Sequence, residues 1–155
     1  MENAAAKARE ALESIEAVLS ELNINFKKSE SDEVFSLELY GDDIVMPVRL
    51  WVEPEYSLVM IGSVLPFMVE PQKLDETAIV LNELNSRIVN GAFYLDPEDH
   101  YIKFKITDSY LGAPVSKEAI RFNVELLLQT VDKYNDKLLA FNKGNVDRIY
   151  FTTCI

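Results

Sequence analysis

Apolar residues recur along the first segment at spacings of three and four: Ala5, Ala8, Leu12, Ile15, Leu19 and Leu22. Lys7, Arg9, Glu10, Glu13, Glu16 and Glu21 fill the other faces. This pattern predicts an amphipathic helix with a narrow apolar stripe, ended by Asn23 and the polar run KKSESDE. The period then changes to two, the period of a strand. In VFSLELY the inward positions are Phe35, Leu37 and Leu39. In IVMPVRLWVEP, Ile44, Met46, Val48, Leu50 and Val52 share one side, against Val45, Pro47, Arg49, Trp51 and Glu53 on the other. Pro47 has no amide proton, so that part of the strand is expected at an edge or a bulge. YSLVMIGSVLPF is apolar on both sides, as a covered central strand should be. The connections GDD and EPE are short enough to make these three strands an antiparallel meander.

Pro71 suits the first turn of a second helix, where its missing N–H costs nothing. That helix is expected to run through QKLDETAIVLNELNSRI and to stop near Asn90-Gly91, with glycine in the left-handed cap position. Strands GAFYLD and YIKFKIT follow; Ile102, Phe104 and Ile106 oppose Tyr101, Lys103 and Lys105, which gives this pair one wet face. After the loop DSYLGAPVS, Ser116 is the N-cap of a long helix with Glu118 in its first turn. Ile120, Val124, Leu127, Val131, Tyr134 and Leu138 form the apolar stripe of that helix. The order is helix, three-stranded antiparallel meander, helix, two-stranded hairpin, helix: an α+β fold. One domain over residues 1–142 accounts for it, and residues 143–155 form a glycine-interrupted tail with a short strand at RIYFTT.

The chain's 155 residues suit one domain with a real core, and 48% apolar and 26% charged residues are ordinary for a globular protein. Its formal net charge of -11 is not ordinary. An acidic surface repels phosphate, which argues against nucleic acid and anionic membranes as partners and favours protein segments flanked by basic residues. The one cysteine, Cys154, excludes an internal disulfide and a CxxC metal site, and its place in TTCI does not fit a prenylation box. The N-terminal stretch mixes charges throughout, unlike a signal peptide, and SLVMIGSVLPFMV is too short to span a bilayer. The expected compartment is a reducing cytoplasm. Walker-type glycine loops, dinucleotide fingerprints, HExxH and GxSxG are all absent from the sequence, so no cofactor is expected.

The run from Leu81 to Phe141 carries a more particular pattern. LNELNSR leads into the Gly-x-Phe strand and acidic turn of GAFYLDPEDHYIKFKI, then LGAPVSKEAI, then the closing helix LLLQTVDKYNDKLLAF. This succession resembles the YbjN-like family of small bacterial proteins, assigned to sensory transduction regulation, which shares the fold of the type III secretion chaperones. The resemblance implies a compact homodimeric domain without a known catalytic site, whose relatives by fold bind unfolded segments of secreted proteins or act as adaptors. The tail after Asn142 falls outside it.

Individual residues sharpen the expectation. His100, the only histidine, stands in DPEDH beside Asp96, Glu98 and Asp99. The loop has hairpin length, a proline suited to a tight turn, and too few liganding groups for calcium or zinc, so it reads as a turn. Asn85 shares a helical face with Ala78, Leu81 and Ile88; its amide serves either a register-fixing contact across a dimer or a strand end in its own subunit. Ile79 and Val80 widen that helix's apolar surface toward a second partner. Trp51, with Val45 and Arg49, either anchors a partner on a sheet face or lies beneath a helix. Phe67 and Met68, in the strand-to-helix connection, serve either an adaptable binding surface or the core. The resulting expectation is a non-enzymatic, dimeric protein-binding domain, a chaperone-like adaptor or regulator that takes an extended partner segment. Trp51, Val45, Phe67, Met68, Asn85 and Ile79 are its candidate partner or dimer contacts. A small-ligand sensor, a dedicated type III secretion chaperone, and an enzyme acting through Asp96 or Asp99 are the alternatives.

Overall fold

In the computed structural model, which describes residues 2–29 and 33–153, helix α1 (Glu2–Glu21) precedes six strands. These are β1 (Phe26–Lys28), β2 (Phe35–Tyr40), β3 (Val45–Glu53), β4 (Leu58–Met68), β5 (Ala92–Leu95) and β6 (Tyr101–Ser109). A 3-10 turn (Pro71–Lys73) and helix α2 (Leu74–Asn85) separate β4 from β5, and helices α3 (Lys117–Asn142) and α4 (Arg148–Thr153) follow β6. The strands form one sheet in the order β1-β2-β3-β4-β6-β5, with every neighbouring pair antiparallel. The α+β architecture is therefore the expected one, with the meander and the hairpin fused into a single sheet. Cys154 lies outside the described residues.

Alternation along the strands places Phe35, Leu37 and Leu39, then Met46, Val48 and Leu50, then Ile102, Phe104 and Ile106 on one buried face. Helices α1 and α3 pack on that face. The stripe of α1 is broader than its spacing implied: Ala11 and Val18 join Ala8, Leu12, Ile15 and Leu19 in the core, while Ala5 is exposed. Each fully buried Leu, Ile or Val contributes about 1.5–3 kcal/mol, so this stripe rather than helix propensity holds α1 in place. Helix α3 starts where expected, with the Ser116 hydroxyl accepting from the Ala119 N–H at 3.1 Å, and its whole predicted stripe is buried. Pro47 sits within β3, an interior strand, but the β3–β4 register begins only at Val48, so no N–H is wanted there. Ser63 instead donates its hydroxyl to the Pro47 carbonyl at 3.0 Å.

Four local expectations change. A short strand, β1, pairs with β2 where the sequence shows only one apolar residue, Phe26. Helix α2 ends at Asn85, well before Asn90-Gly91, and its buried face is Thr77, Val80, Leu81 and Leu84, with Ala78 exposed. Gly91 does adopt a positive φ of 85°, but for another reason. A Cβ there would lie 2.7 Å from Phe104 Cζ and 2.9 Å from the Lys105 carbonyl, so glycine lets the chain enter β5 tight against β6. RIYFTT, expected as a strand, is helix α4. Its Phe151 is buried edge-on against Phe141, 5.7 Å between ring centroids, and α4 packs on α2. One aromatic anchor, rather than β-propensity, decides that segment.

Candidate partner-binding surfaces

The DPEDH segment is a hairpin turn between β5 and β6, and its polar groups are held within it. Asp96 Oδ1 accepts from the Glu98 N–H and Asp99 Oδ1 from the Tyr101 N–H, both at 2.9 Å. The other oxygens of these two carboxylates take the Lys103 ammonium at 2.6 and 2.7 Å. Lys103, followed by the backbone N–H groups, holds both carboxyls below their ordinary range. The two acids in turn hold the Lys103 ammonium well above its own. His100 takes a φ of 60° to complete the turn, and its N–H donates to the Asp96 carbonyl at 2.9 Å. Among the described residues no cluster of three or more His, Cys, Asp or Glu could hold a metal ion.

Asn85 takes the intrasubunit role. Its Nδ2 donates to the Phe93 carbonyl and its Oδ1 accepts from the Phe93 N–H, each at 2.8 Å. Because β5 is an outer strand, these are the groups that a further strand would otherwise engage. Asn142 makes a similar clamp at the end of β4, donating to the Met68 carbonyl at 3.0 Å and accepting from the Glu70 N–H at 2.9 Å. Buried Asn142 was not a candidate in the sequence, where one asparagine at a helix end carries no signal.

The opposite edge is open. Strand β1 pairs with β2 only from Phe35 to Leu37, leaving Glu38 to Tyr40 beyond its end. The Gly41 N–H to Ile44 carbonyl bond sets the hairpin alternation, so Glu38 and Tyr40 aim their N–H and C=O groups away from β3. Beside this edge runs a groove of about 1010 Å³. Leu22, Ile24 and Phe26 on one side and Val124 and Leu128 of α3 on the other give it apolar walls.

The six candidate contacts do not form one site. Trp51 lies on the face of the sheet that carries no helix, not beneath one: it is half-buried, its ring covers Gly62, and its Nε1 donates to Glu53 Oε1 at 2.8 Å. Met60, directly across from it, is the buried residue on that face. Val45 is exposed at the far end of the same strand, beside exposed Tyr40. Phe67 packs against the core while its neighbour Met68 is exposed. Ile79 is exposed on α2. No described helix is long and apolar enough to cross a membrane.

Comparison with known proteins identifies the family and the fold. Residues 11–140 match the model of the YbjN family, described as "Putative bacterial sensory transduction regulator". No curated protein sequence matches the chain. The crystal structure of YbjN from E. coli superposes with a TM-score of 0.62 at 14% identity, over 81% of this chain and 92% of that one. The ExsC–ExsE complex gives a TM-score of 0.65 at 11% identity, covering 84% and 95%. The HopA1–SchA chaperone–effector complex gives 0.52 at 12% identity, covering 77% and 88%. At these identities the structural likeness establishes the fold.

Proposed function

This chain belongs to the YbjN family, and on that premise we propose that it is a non-enzymatic, chaperone-like adaptor or regulator that holds an extended segment of a partner protein. The observation that carries the reading is the contrast between the two edges of the sheet. Asn85 takes the outward main-chain groups of Phe93 on the β5 edge, whereas Tyr40, beyond the end of β1, turns its main-chain groups outward beside an apolar groove. Strand addition needs both features: main-chain hydrogen bonds for affinity, and pockets for alternate side chains for selectivity. Two of the structures with this fold are complexes, one of them a chaperone with its effector, which supports the same use. The protein works in the cytoplasm as a homodimer, and exposed Ile79 on α2 is the residue we assign to contact with the second copy.

Ligand sensing ranks second, because the groove is open along the sheet edge rather than enclosed. A dedicated secretion chaperone is the narrower form of the first reading and would use the same groove.

The test compares proteins retained from lysate by the wild type and by Leu128→Asp, with circular dichroism to verify folding. A partner lost by the variant, together with slowed hydrogen exchange at the Tyr40 amide in the wild-type complex, supports the reading. Retention unaffected by Leu128→Asp, with that amide still exchanging freely, removes it. One retained protein favours the dedicated chaperone; several favour the general adaptor. Light scattering on Ile79→Asp reads the dimer separately.

A further inference from the structure

We propose that the helix-free face of the sheet is a second docking surface, and that its occupant is an acidic protein segment lying across the strands. The register assembles it. Lys27 stands opposite Ser36, Ser36 opposite Arg49, Arg49 opposite Gly62, and Gly62 opposite Lys105. Residues directly opposite share a face, so Lys27, Arg49 and Lys105 form a single row. Each is two strands from the next, roughly 10 Å at the usual strand spacing.

The row is unusual for this molecule. With 26 acidic against 15 basic side chains, a lysine or arginine at an arbitrary surface position has carboxylates in excess around it. Lys28, Lys73, Lys103, Lys117 and Arg121 have found one, while Lys133 and Lys137 on α3 lie over the Tyr134 ring. Lys27, Arg49 and Lys105 are exposed and make no ion pair among the described residues; Lys105 only lies over the Tyr94 ring at 5.6 Å. The acids of this face, Glu38 and Glu53, lie one row or more away and are engaged by Tyr40 and Trp51. Lys103 is held by Asp96 and Asp99 and does not count toward the row.

Gly62 brings no side chain between Arg49 and Lys105, and the Trp51 ring packs over it, so an apolar ring lies between the two cations. A guanidinium binds carboxylates through paired hydrogen bonds, and a tryptophan beside it supplies apolar area. The molecule's overall negative charge does not forbid this. At physiological salt the screening length is about 8 Å, so distant carboxylates are muted while contact pairs persist. A segment in polyproline II conformation repeats its side chains on one face about every 9 Å, which matches the row.

This inference rests on the protein-binding reading; Lys27 and Arg49 also border the groove, whereas Gly62, Lys105 and Trp51 lie outside it, and the groove variant Leu128→Asp lets the two readings fail separately. Trp51, the only tryptophan, reports the face directly. The experiment titrates a peptide of five Glu-Pro-Pro repeats, and a Lys-Pro-Pro counterpart, into the full chain while following Trp51 emission. The acidic peptide alone is expected to shift the emission, with binding that weakens as salt rises. The double variant Arg49→Glu/Lys105→Glu should weaken it at least about tenfold, and the groove variant Leu128→Asp should leave it unchanged. Four outcomes overturn the proposal: no emission change with the acidic peptide, equal binding of the basic peptide, binding that survives the double reversal, or a loss of dimer mass in that variant. The last would assign the face to a second copy instead.

Discussion

Asn85 and Phe93 are joined by two hydrogen bonds of 2.8 Å, in which one side-chain amide satisfies both outward main-chain groups of an outer-strand residue. The last residue of a helix thereby stands where another strand would pair, and the Phe93 ring is fixed in the core against Phe104 at 4.6 Å. Removing the amide leaves a donor and an acceptor unmatched in a part-buried position. Asn85→Ala is expected to destabilise the fold by about 1–3 kcal/mol, read as the shift of a urea unfolding midpoint. Asn85→Asp keeps the acceptor but sets a carboxylate against the Phe93 carbonyl, so it should be no better than alanine.

Gly91 offers a steric prediction. With φ at 85° and a phantom Cβ 2.7 Å from Phe104, Gly91→Ala combines left-handed strain with overpacking of the core. The expected cost is about 2–5 kcal/mol. At Gly112 a Cβ would meet nothing within 4 Å, so Gly112→Ala should change stability by less than about 0.5 kcal/mol. Thermal melts of the pair decide it; equal melting temperatures would contradict the tight entry into β5.

The DPEDH turn makes a pH prediction. Asp96 and Asp99 are held below their ordinary value of 3.8, first by the Lys103 hydrogen bond. A carboxyl lowered on folding adds stability that is complete above its unfolded value and is lost as pH falls through the folded one. Glu21, lowered from 4.5 by Lys117 and Arg121 where α1 meets α3, has the same sign. Lys103 is raised on folding, so its share is complete below its ordinary 10.5 and fades only as pH rises past that. Unfolding midpoints taken from about pH 6 down to about pH 2 should fall less steeply for Lys103→Met than for the wild type. Parallel curves would count against the turn as the origin.

Trp51 shields Met60 and Gly62 without entering the core. Trp51→Ala is therefore expected to cost about 1–2 kcal/mol, below the usual penalty for a fully buried aromatic. The protein should stay folded by circular dichroism, which keeps the variant usable in binding assays. A loss above about 3 kcal/mol would place the ring in the core after all.

Patterns that depend on neighbouring residues were legible in the sequence. The three-and-four spacing along α3, the Ser116 cap, the alternation in β2, β3 and β6, and the turn at DPEDH each follow from local sterics and hydrogen bonding. In α2 the buried face runs through Thr77 rather than Ala78, because the two differ too little in polarity for spacing alone to say which side meets the core. RIYFTT has the composition of a strand and became a helix because Phe151 packs edge-on against Phe141, a partner its own neighbours do not reveal. The candidate surfaces were the least legible. The open β2 edge exists because β1 is only three residues long. The basic row exists because register places Lys27, Arg49 and Lys105, far apart in the chain, on adjoining parts of one face. Composition determined that the molecule is acidic; strand pairing, a non-local choice, decided that three of its cations stand in one row.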